Sequence, residues 1–433
     1  MNILLVTTCY PPINVSGSIR ALYYANYMLE LGHNVSVLTV DVPSDMSNYD
    51  ETLFNKISKG IDVTRCDMGF LYKKFYAKKS SDEKVSFVKS EKNTSDSATR
   101  LKKLIKDNVA IPDSYYMWSK NAVRKGKEII VKKNIDYVLS MHETPSSHLV
   151  AYRLKKNFPQ LKWVAYWSDP WVTDPNRQDY SVFRKYIEGR LEKKVVETAD
   201  KHLFTTENTQ KEYINNYKLK AEDTDIVYRG FDPKMYKLNE SDKKPKYIDN
   251  DKLNIIHAGE IFTKLRDINP FIESIAYLQE HHKDIYKKIN VIFLGGIDNF
   301  ERVSSKINKL DCIQILPRTG FEEAIKYINY SQLLLLFGNR GSNQIPGKAY
   351  DYLGANKCIL TILGDANDPV RAMMNHAKSG PILLNKEEEI TKTLLNLYAI
   401  YQSDKNLSEI LSKSNSKFEW KNVVEDLLKK ISG

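Results

Sequence analysis

The first forty residues, MNILLVTTCYPPINVSGSIRALYYANYMLELGHNVSVLTV, restrict the fold more than any other stretch of the chain. Residues 3–7 form an apolar run without polar alternation, the pattern of a strand buried on both faces of a parallel sheet. A turn-rich loop with Pro11, Pro12, Ser16 and Gly17 follows. Leu22, Ala25, Leu29 and Leu31 then recur near helical spacing, and Gly32 stands where a left-handed helix end falls. Residues 35–40 return to an apolar strand. This strand–loop–helix–strand unit sets small residues at the mouth of a helix, where free backbone N–H groups can meet an anion or a sugar.

The alternation continues along the chain. Apolar runs at 137–141, 163–167, 202–205 and 225–228 read as strands, separated by helical patterns at 121–133, 144–157 and 183–199. Residues 237–252, KLNESDKKPKYIDNDK, are charged and lack apolar periodicity, as expected of a linker. A second series of strands begins at 253–257 and recurs at 291–294, 313–316, 333–337 and 358–362, with helices at 270–281, 321–328 and 347–355. At 433 residues, two domains are expected. We expect a Rossmann-like domain over 1–236, a linker over 237–252, a second over 253–415, and a final helix over 416–433 crossing back to the first. Two such α/β halves would face a central cleft, with ligand at the carboxyl ends of the strands.

Cys9, Cys66, Cys312 and Cys358 lie far apart and form no C-x-x-C pair, which fits a reducing cytoplasm better than a disulfide framework or zinc site. No apolar run approaches the roughly 20 residues of a membrane helix, and the start MNILLV lacks the basic region of a signal peptide. The net charge of +11 is concentrated: residues 65–133 hold 18 Lys and Arg against 8 Asp and Glu. Phe70, Leu71, Tyr72, Phe75 and Tyr76 are interleaved with those cations, and residues 80–99 read as flexible. Such a stretch suits an anionic membrane surface, and equally a solvated insertion.

Five loops carry candidate chemistry. Gly17 and Ser18, with Arg20, precede the first helix. His142 and Glu143 follow the strand at 137–141, where a histidine beside a carboxylate suits polar work or a structural role alike. Asp169 follows the strand at 163–167, in a turn of S-D-P-W. Lys264 and Arg266 lie in a strand-to-helix loop and could grip a diphosphate. Asn343, Gly347, Lys348 and Asp351 follow the strand at 333–337 and open a helix. The chain has neither G-x-x-x-x-G-K-[ST] nor G-x-G-x-x-G, which removes most support for kinase and dinucleotide-dehydrogenase readings, and no strong metal-ligand spacing.

Taken in order, these segments resemble a family 4 glycosyltransferase of the GT-B fold over nearly the whole chain. The opening glycine loop with GHNVSVLT, DYVLSMHETPSSHLVAYRLKK, VAYWSDPWVTDP, IVYRGFDPKMY, IIHAGEIFTKLRD and IPGKAYDYLGANKCIL each stand where that family has a motif. VAYWSDPWVTDP is similar to the segment found in bacterial surface-polysaccharide members. The resemblance implies residue roles. Gly17 and Ser18 would lie near the donor diphosphate, with Arg20, Glu143 and Asp169 on the acceptor side. His142 would sit by the transferred sugar, Lys264 and Arg266 would stabilise the departing nucleoside diphosphate without a metal or other cofactor, and Asp351 would hold the donor ribose. The family's paired Glu residues appear here as Asn343 and Asp351, Glu260 stands where many members carry Arg, and Arg229 replaces the usual Asn of the interdomain turn.

The expected function is therefore transfer of a sugar, with retained anomeric configuration, from a nucleotide sugar to a lipid-linked glycan in capsule, O-antigen or similar surface-polysaccharide synthesis. The enzyme would be cytoplasmic and peripheral on the anionic inner face of the membrane, with no nucleic acid as partner. A nucleotide-sugar epimerase of the same fold is the alternative. A basic nucleic-acid-binding protein would explain the charge but not the two α/β halves.

Overall fold

The computed structural model describes residues 1–46, 48–69, 111–237, 243–404, 407 and 415–432. Most of the basic stretch, residues 70–110, lies outside them, and so does the flexible segment expected at 80–99. The described chain divides into two compact units, Met1–Tyr228 with Trp420–Gly433, and Arg229–Glu419.

The first unit is built on seven parallel strands: β1 (Asn2–Val6), β2 (Asn34–Asp41), β3 (Asp62–Asp67), β4 (Tyr137–Met141), β5 (Lys162–Trp167), β6 (Lys201–Phe204) and β7 (Thr224–Ile226). Their order is β3-β2-β1-β4-β5-β6-β7. Ile3 pairs with Val35 on one side and Tyr137 on the other. The chain thus runs outward from β1 in one direction and from β4 in the other. The loops leaving β1 and β4 diverge at this switch point, the place where a doubly wound sheet binds its ligand.

Helices α1 (Ser16–Glu30), α2 (Tyr116–Lys133), α3 (Pro145–Asn157), α4 (Val182–Thr198) and α5 (Glu207–Tyr217) connect the strands. Ser16, Gly17 and Ser18, expected in a loop, already form the first turn of α1. α1 ends as expected: Gly32 takes φ +86°, its N–H donates to the Leu29 carbonyl, and the His33 N–H donates to the Met28 carbonyl. α2 starts five residues before the expected 121, because Trp118 and Ser119 are buried with Ala122. Trp118, Trp163, Trp167 and Trp171 all lie in the core of this unit.

The second unit has six parallel strands: β8 (Leu253–Ala258), β9 (Ile289–Leu294), β10 (Ile313–Leu316), β11 (Leu333–Phe337), β12 (Cys358–Leu363) and β13 (Ile382–Leu384), ordered β10-β9-β8-β11-β12-β13. Its switch point lies between β8 and β11. Helices α6 (Asn269–His281), α7 (Lys283–Tyr286), α8 (Glu301–Ile307), α9 (Phe321–Tyr330), α10 (Lys348–Ala355), α11 (Val370–Ala377) and α12 (Glu387–Asp404) complete it.

The division between units falls at Tyr228 and Arg229 rather than near 236. Hydrogen bonds explain this. The Phe231 N–H donates to the Phe418 carbonyl, and the Asn290 amide donates to the Tyr247 carbonyl. Residues on both sides of 238–242 are therefore tied to the second unit. The last helix, α13 (Trp420–Ser432), packs on α1 in the first unit: the Trp420 ring stacks on Tyr23 at 5.3 Å and meets Tyr24 edge-on at 5.7 Å. Lys430 Nζ donates to the Ile226 carbonyl at 2.6 Å.

Candidate functional site

In the first unit, the groups expected from the loops after β1, β4 and β5 gather at the strand ends. Arg20 Nη2 pairs with Glu143 Oε1 at 2.7 Å, and its Nη1 donates to Tyr166 Oη at 3.3 Å. Ser168 Oγ donates to Glu143 Oε1 at 3.2 Å and makes a second, shorter bond to the His142 carbonyl. Glu143 explains Gly17: a Cβ on Gly17 would lie 2.0 Å from the Glu143 Cδ. The glycine admits a carboxylate rather than only freeing a backbone turn. Gly17→Ala should push Glu143 off Arg20 and cost about 2 kcal/mol, since a buried guanidinium loses its partner. Urea unfolding tests this, and the double variant Gly17→Ala/Glu143→Ala should then be no less stable than Glu143→Ala alone.

His142 is 4% exposed, and neither ring nitrogen has a hydrogen-bond partner among the described residues. It stacks on His148 at 5.2 Å and lies 5.4 Å from Trp167 and 6.1 Å from Trp171. Burial, aided by the Arg177 charge, pushes its pKa down to about 3, against weaker support for the charged form from the Asp169 and His142 backbone. The ring is thus neutral at pH 7, able to donate from one nitrogen and accept at the other. In an unfolded chain the same ring would take a proton near pH 6.5. Stability tied to its neutral form is complete above pH 6.5 and is lost as pH falls toward 3. Between pH 6.5 and 4, His142→Gln should remove about 1.4 kcal/mol of destabilisation per pH unit, read from urea midpoints.

Asp169 is part-exposed. Burial, then the Glu143 and Asp174 carboxylates, push its pKa up to about 8, while Arg20 opposes them. Its loop is fixed from behind, by groups that sequence reasoning missed. Trp171 Nε1 donates to Glu188 Oε2 at 2.9 Å, and Glu188 also accepts from Arg177 Nη1 and Arg184 Nε, each at 2.6 Å. The Trp171 N–H donates to Tyr213 Oη at 3.0 Å, and Tyr213 and Tyr217 both donate to Glu192. The i, i+4 spacing of Arg184, Glu188 and Glu192 on α4 was the only available signal, and it also fits a solvated helix face.

In the second unit, glycines line the strand ends around the switch point. A Cβ on Gly295 would meet the Gly259 backbone at 2.8 Å, one on Gly338 would meet Asp368, and one on Gly364 would meet the Asn339 backbone at 2.3 Å. Gly259 itself has φ +120°, a conformation that favours glycine. These contacts pack the loops after β8, β9, β11 and β12 closely against one another into a glycine-lined floor.

Arg266 is buried at this floor. Its Nε donates to Asn339 Oδ1 at 2.9 Å and its Nη1 to the Glu260 carbonyl at 3.0 Å. Lys348, on the first turn of α10, reaches over Gly259, with Nζ 3.2 Å from the position a Cβ would take. Lys264 lies exposed on the same loop. Burial and the Arg266 charge push the Lys348 pKa well down, against Asp351 and Glu260. Burial likewise brings Arg266 down to about 10. Glu260 is pushed up by burial and by the Asp298 carboxylate, and Arg318, Lys348 and Arg266 all act to lower it. Glu260 thus lies among three cations, and two of those, Arg266 and Lys348, repel each other. A bound anion would relieve that repulsion. Arg318 and Asn339 were not singled out from the sequence, because neither belongs to a recognisable spacing.

Asp351 is engaged within this unit. Arg229 Nη1 lies 3.1 Å from its Oδ1 and also donates to the Gly347 carbonyl, and Tyr236 Oη donates to Oδ1 at 3.4 Å. Asn343 is part-buried in the loop before α10. Among the described residues no group of three or more His, Cys, Asp or Glu could hold a metal ion. No helix among the described residues is long and apolar enough to cross a membrane.

These features define a GT-B fold, and solved structures share it across the full chain. Sucrose-phosphate synthase from Thermosynechococcus elongatus aligns with TM-score 0.64 and 13% identity, over 99% of this chain and 98% of its own. HepE from Anabaena, in complex with UDP and glucose, aligns with TM-score 0.64 and 13% identity over 100% of both chains. A putative UDP-N-acetylglucosamine 2-epimerase from Listeria monocytogenes aligns with TM-score 0.58 and 11% identity, over 100% of this chain and 95% of its own. No protein-family model matches the chain, and no curated protein matches it by sequence.

Proposed function

We propose that the protein is a retaining glycosyltransferase that moves a sugar from a nucleotide sugar to a lipid-linked glycan of a surface polysaccharide. The observation that carries this reading is the cation set at the glycine floor. Half-buried Lys348 reaches over Gly259 with Nζ, where burial and the Arg266 charge both lower its pKa, and Lys264 lies exposed on the same loop as Arg266. A diphosphate would pair with these cations in addition to the Glu260, Asp351, Asp298 and Asp368 carboxylates that already act on them. As the glycosidic bond to the leaving phosphate breaks, charge grows on that oxygen, and preplaced cations stabilise the product-like state more than the ground state. Asp351, oriented by Arg229 and Tyr236, would accept from ribose hydroxyls. Gly17 and Ser18 would lie near the diphosphate. The neutral His142 ring would bond a hydroxyl of the transferred sugar, with Arg20, Glu143 and Asp169 serving the acceptor.

The binding of UDP in HepE and the likeness to surface-polysaccharide members in VAYWSDPWVTDP support the donor and pathway classes. A thermal-shift series with UDP, GDP and ADP tests the donor site, because a ligand at a hundred times its Kd stabilises the native state by about 2.7 kcal/mol. One nucleoside diphosphate should raise the midpoint, and Lys348→Ala should abolish the rise. A chain stabilised by none of the three would not be using a nucleotide sugar of these bases. The epimerase reading draws on the Listeria neighbour. It predicts that donor alone is converted to an epimer without any acceptor.

A further inference from the structure

The N-terminal end of α4 presents an apolar surface that the first unit leaves uncovered. Val182 is 84% exposed, Phe183 65% and Tyr186 60%. Tyr186 stands at i+4 from Val182 and i+3 from Phe183, so it neighbours both on the helix surface. Single exposed apolar residues need no explanation, but three large ones on one turn form a patch. The helix is anchored from its other side: Arg184, Glu188 and Glu192 are buried, so the exposed side chains are held in place on a rigid element.

The charge around the patch is specific in sign. Exposed Arg190, Lys193 and Lys194 continue the same face along the helix, against the acidic Asp179 and Glu197, while half-buried Lys185 donates to the Gln178 carbonyl. The Arg190 guanidinium lies 5.4 Å from the centre of the Tyr186 ring, and Lys193 is 3.6 Å from Glu197. Apolar and aromatic side chains ringed by cations match an interface whose outer layer is anionic and whose interior is hydrocarbon. A protein partner of matching shape would need acidic groups around an apolar socket, whereas a lipid surface supplies both without shape.

We propose that the tip of α4, with Val182, Phe183 and Tyr186 as the inserting groups, docks the protein on an anionic membrane surface. The proposal deepens the reading above, and it rests on that reading only for its purpose, bringing the acceptor side of the first unit to a lipid-linked glycan. Insertion is shallow: one helical turn enters, while Arg190, Lys193 and Lys194 meet lipid phosphates. The contact is therefore both salt-sensitive and apolar, and high salt weakens it without removing it.

Cosedimentation tests this, using the full chain with vesicles of phosphatidylcholine alone or with added phosphatidylglycerol. The wild type should bind the anionic vesicles and bind neutral ones far more weakly. Phe183→Ser/Tyr186→Ser should lower the partition coefficient by about tenfold or more, since it removes the inserted area. Lys193→Gln/Lys194→Gln should lower it mainly at low salt. Val131→Ser, at an equally exposed residue on α2, should leave it unchanged. Unaltered vesicle binding by Phe183→Ser/Tyr186→Ser would overturn the proposal. So would wild-type self-association that this variant loses in sedimentation velocity, which would make the patch a contact between copies. Transfer to a water-soluble acceptor separates this proposal from the enzymatic one: vesicle binding that depends on the patch, in a protein that transfers no sugar, would leave the docking surface standing and the enzymatic reading refuted.

Discussion

Lys348→Ala should lower sugar transfer by about a hundredfold to a thousandfold while leaving the protein no less stable than the wild type. The two halves of this result have one cause. Lys348 is half-buried with its ammonium over Gly259, and burial together with the Arg266 charge disfavours that ammonium's charge. Keeping it there opposes folding, which is the usual relation between a site built for a charged ligand and the stability of the empty protein. With a diphosphate bound, the same charge stabilises the leaving group, and removing one such preplaced group costs about 3–4 kcal/mol in the transition state. The fall should appear in kcat as well as in kcat/KM, because charge on the leaving oxygen develops as the bond breaks. A variant that transfers sugar within about threefold of wild type would remove Lys348 from the diphosphate. A variant that is inactive and much less stable would make it a structural residue.

Glu188→Ala should cost about 3–5 kcal/mol of stability, a large part of what holds a domain of this size folded. Glu188 is 2% exposed and accepts from Arg177, Arg184 and Trp171. Truncation leaves Arg184, itself buried, without its carboxylate. Arg184 Nη2 would still reach the Pro112 carbonyl at 2.7 Å, but a neutral acceptor does not offset a buried cation. The loss also reaches the site, because Trp171 would lose one of the two bonds that fix the loop carrying Ser168 and Asp169. Glu188→Gln keeps the shape and one acceptor, so it should cost less than the alanine variant. Urea midpoints for the three proteins check the order. A Glu188→Ala protein within about 1 kcal/mol of wild type would show that the cluster relaxes around the gap.

The parts of this molecule that could be read from the chain are those whose signal is local. Residues 3–6 and 333–337 are continuous apolar runs and 137–141 and 253–257 are mostly apolar, and a strand buried on both faces leaves that mark whatever surrounds it. Strand ends located the loops, so His142, Glu143, Asp169, Arg266 and Lys348 could be named before their neighbours were known. Partners are another matter. Gly17 was legible as a small residue at a helix mouth, but the carboxylate of Glu143 against it comes from the loop after a strand more than a hundred residues away. Arg266 was read as a free diphosphate grip, yet Asn339 and the Glu260 carbonyl hold two of its donors, so it fixes the floor as well as charging it. Asp351 was read as a ribose ligand without Arg229, although the pair lies 3.1 Å apart. Ser16 to Ser18 were misread as loop because helix propensity disfavours Ser and Gly, while packing of α1 against Glu143 overrides it.

The most direct test of the account is transfer from labelled nucleotide sugars to a lipid extract bearing glycan acceptors. Label from one donor should move into the organic phase, with the anomeric configuration of the donor kept in the product. Lys348→Ala should move almost none. Donor converted to an epimer in the absence of lipid, or label that stays on the nucleotide with every acceptor while the donor still binds, would contradict it.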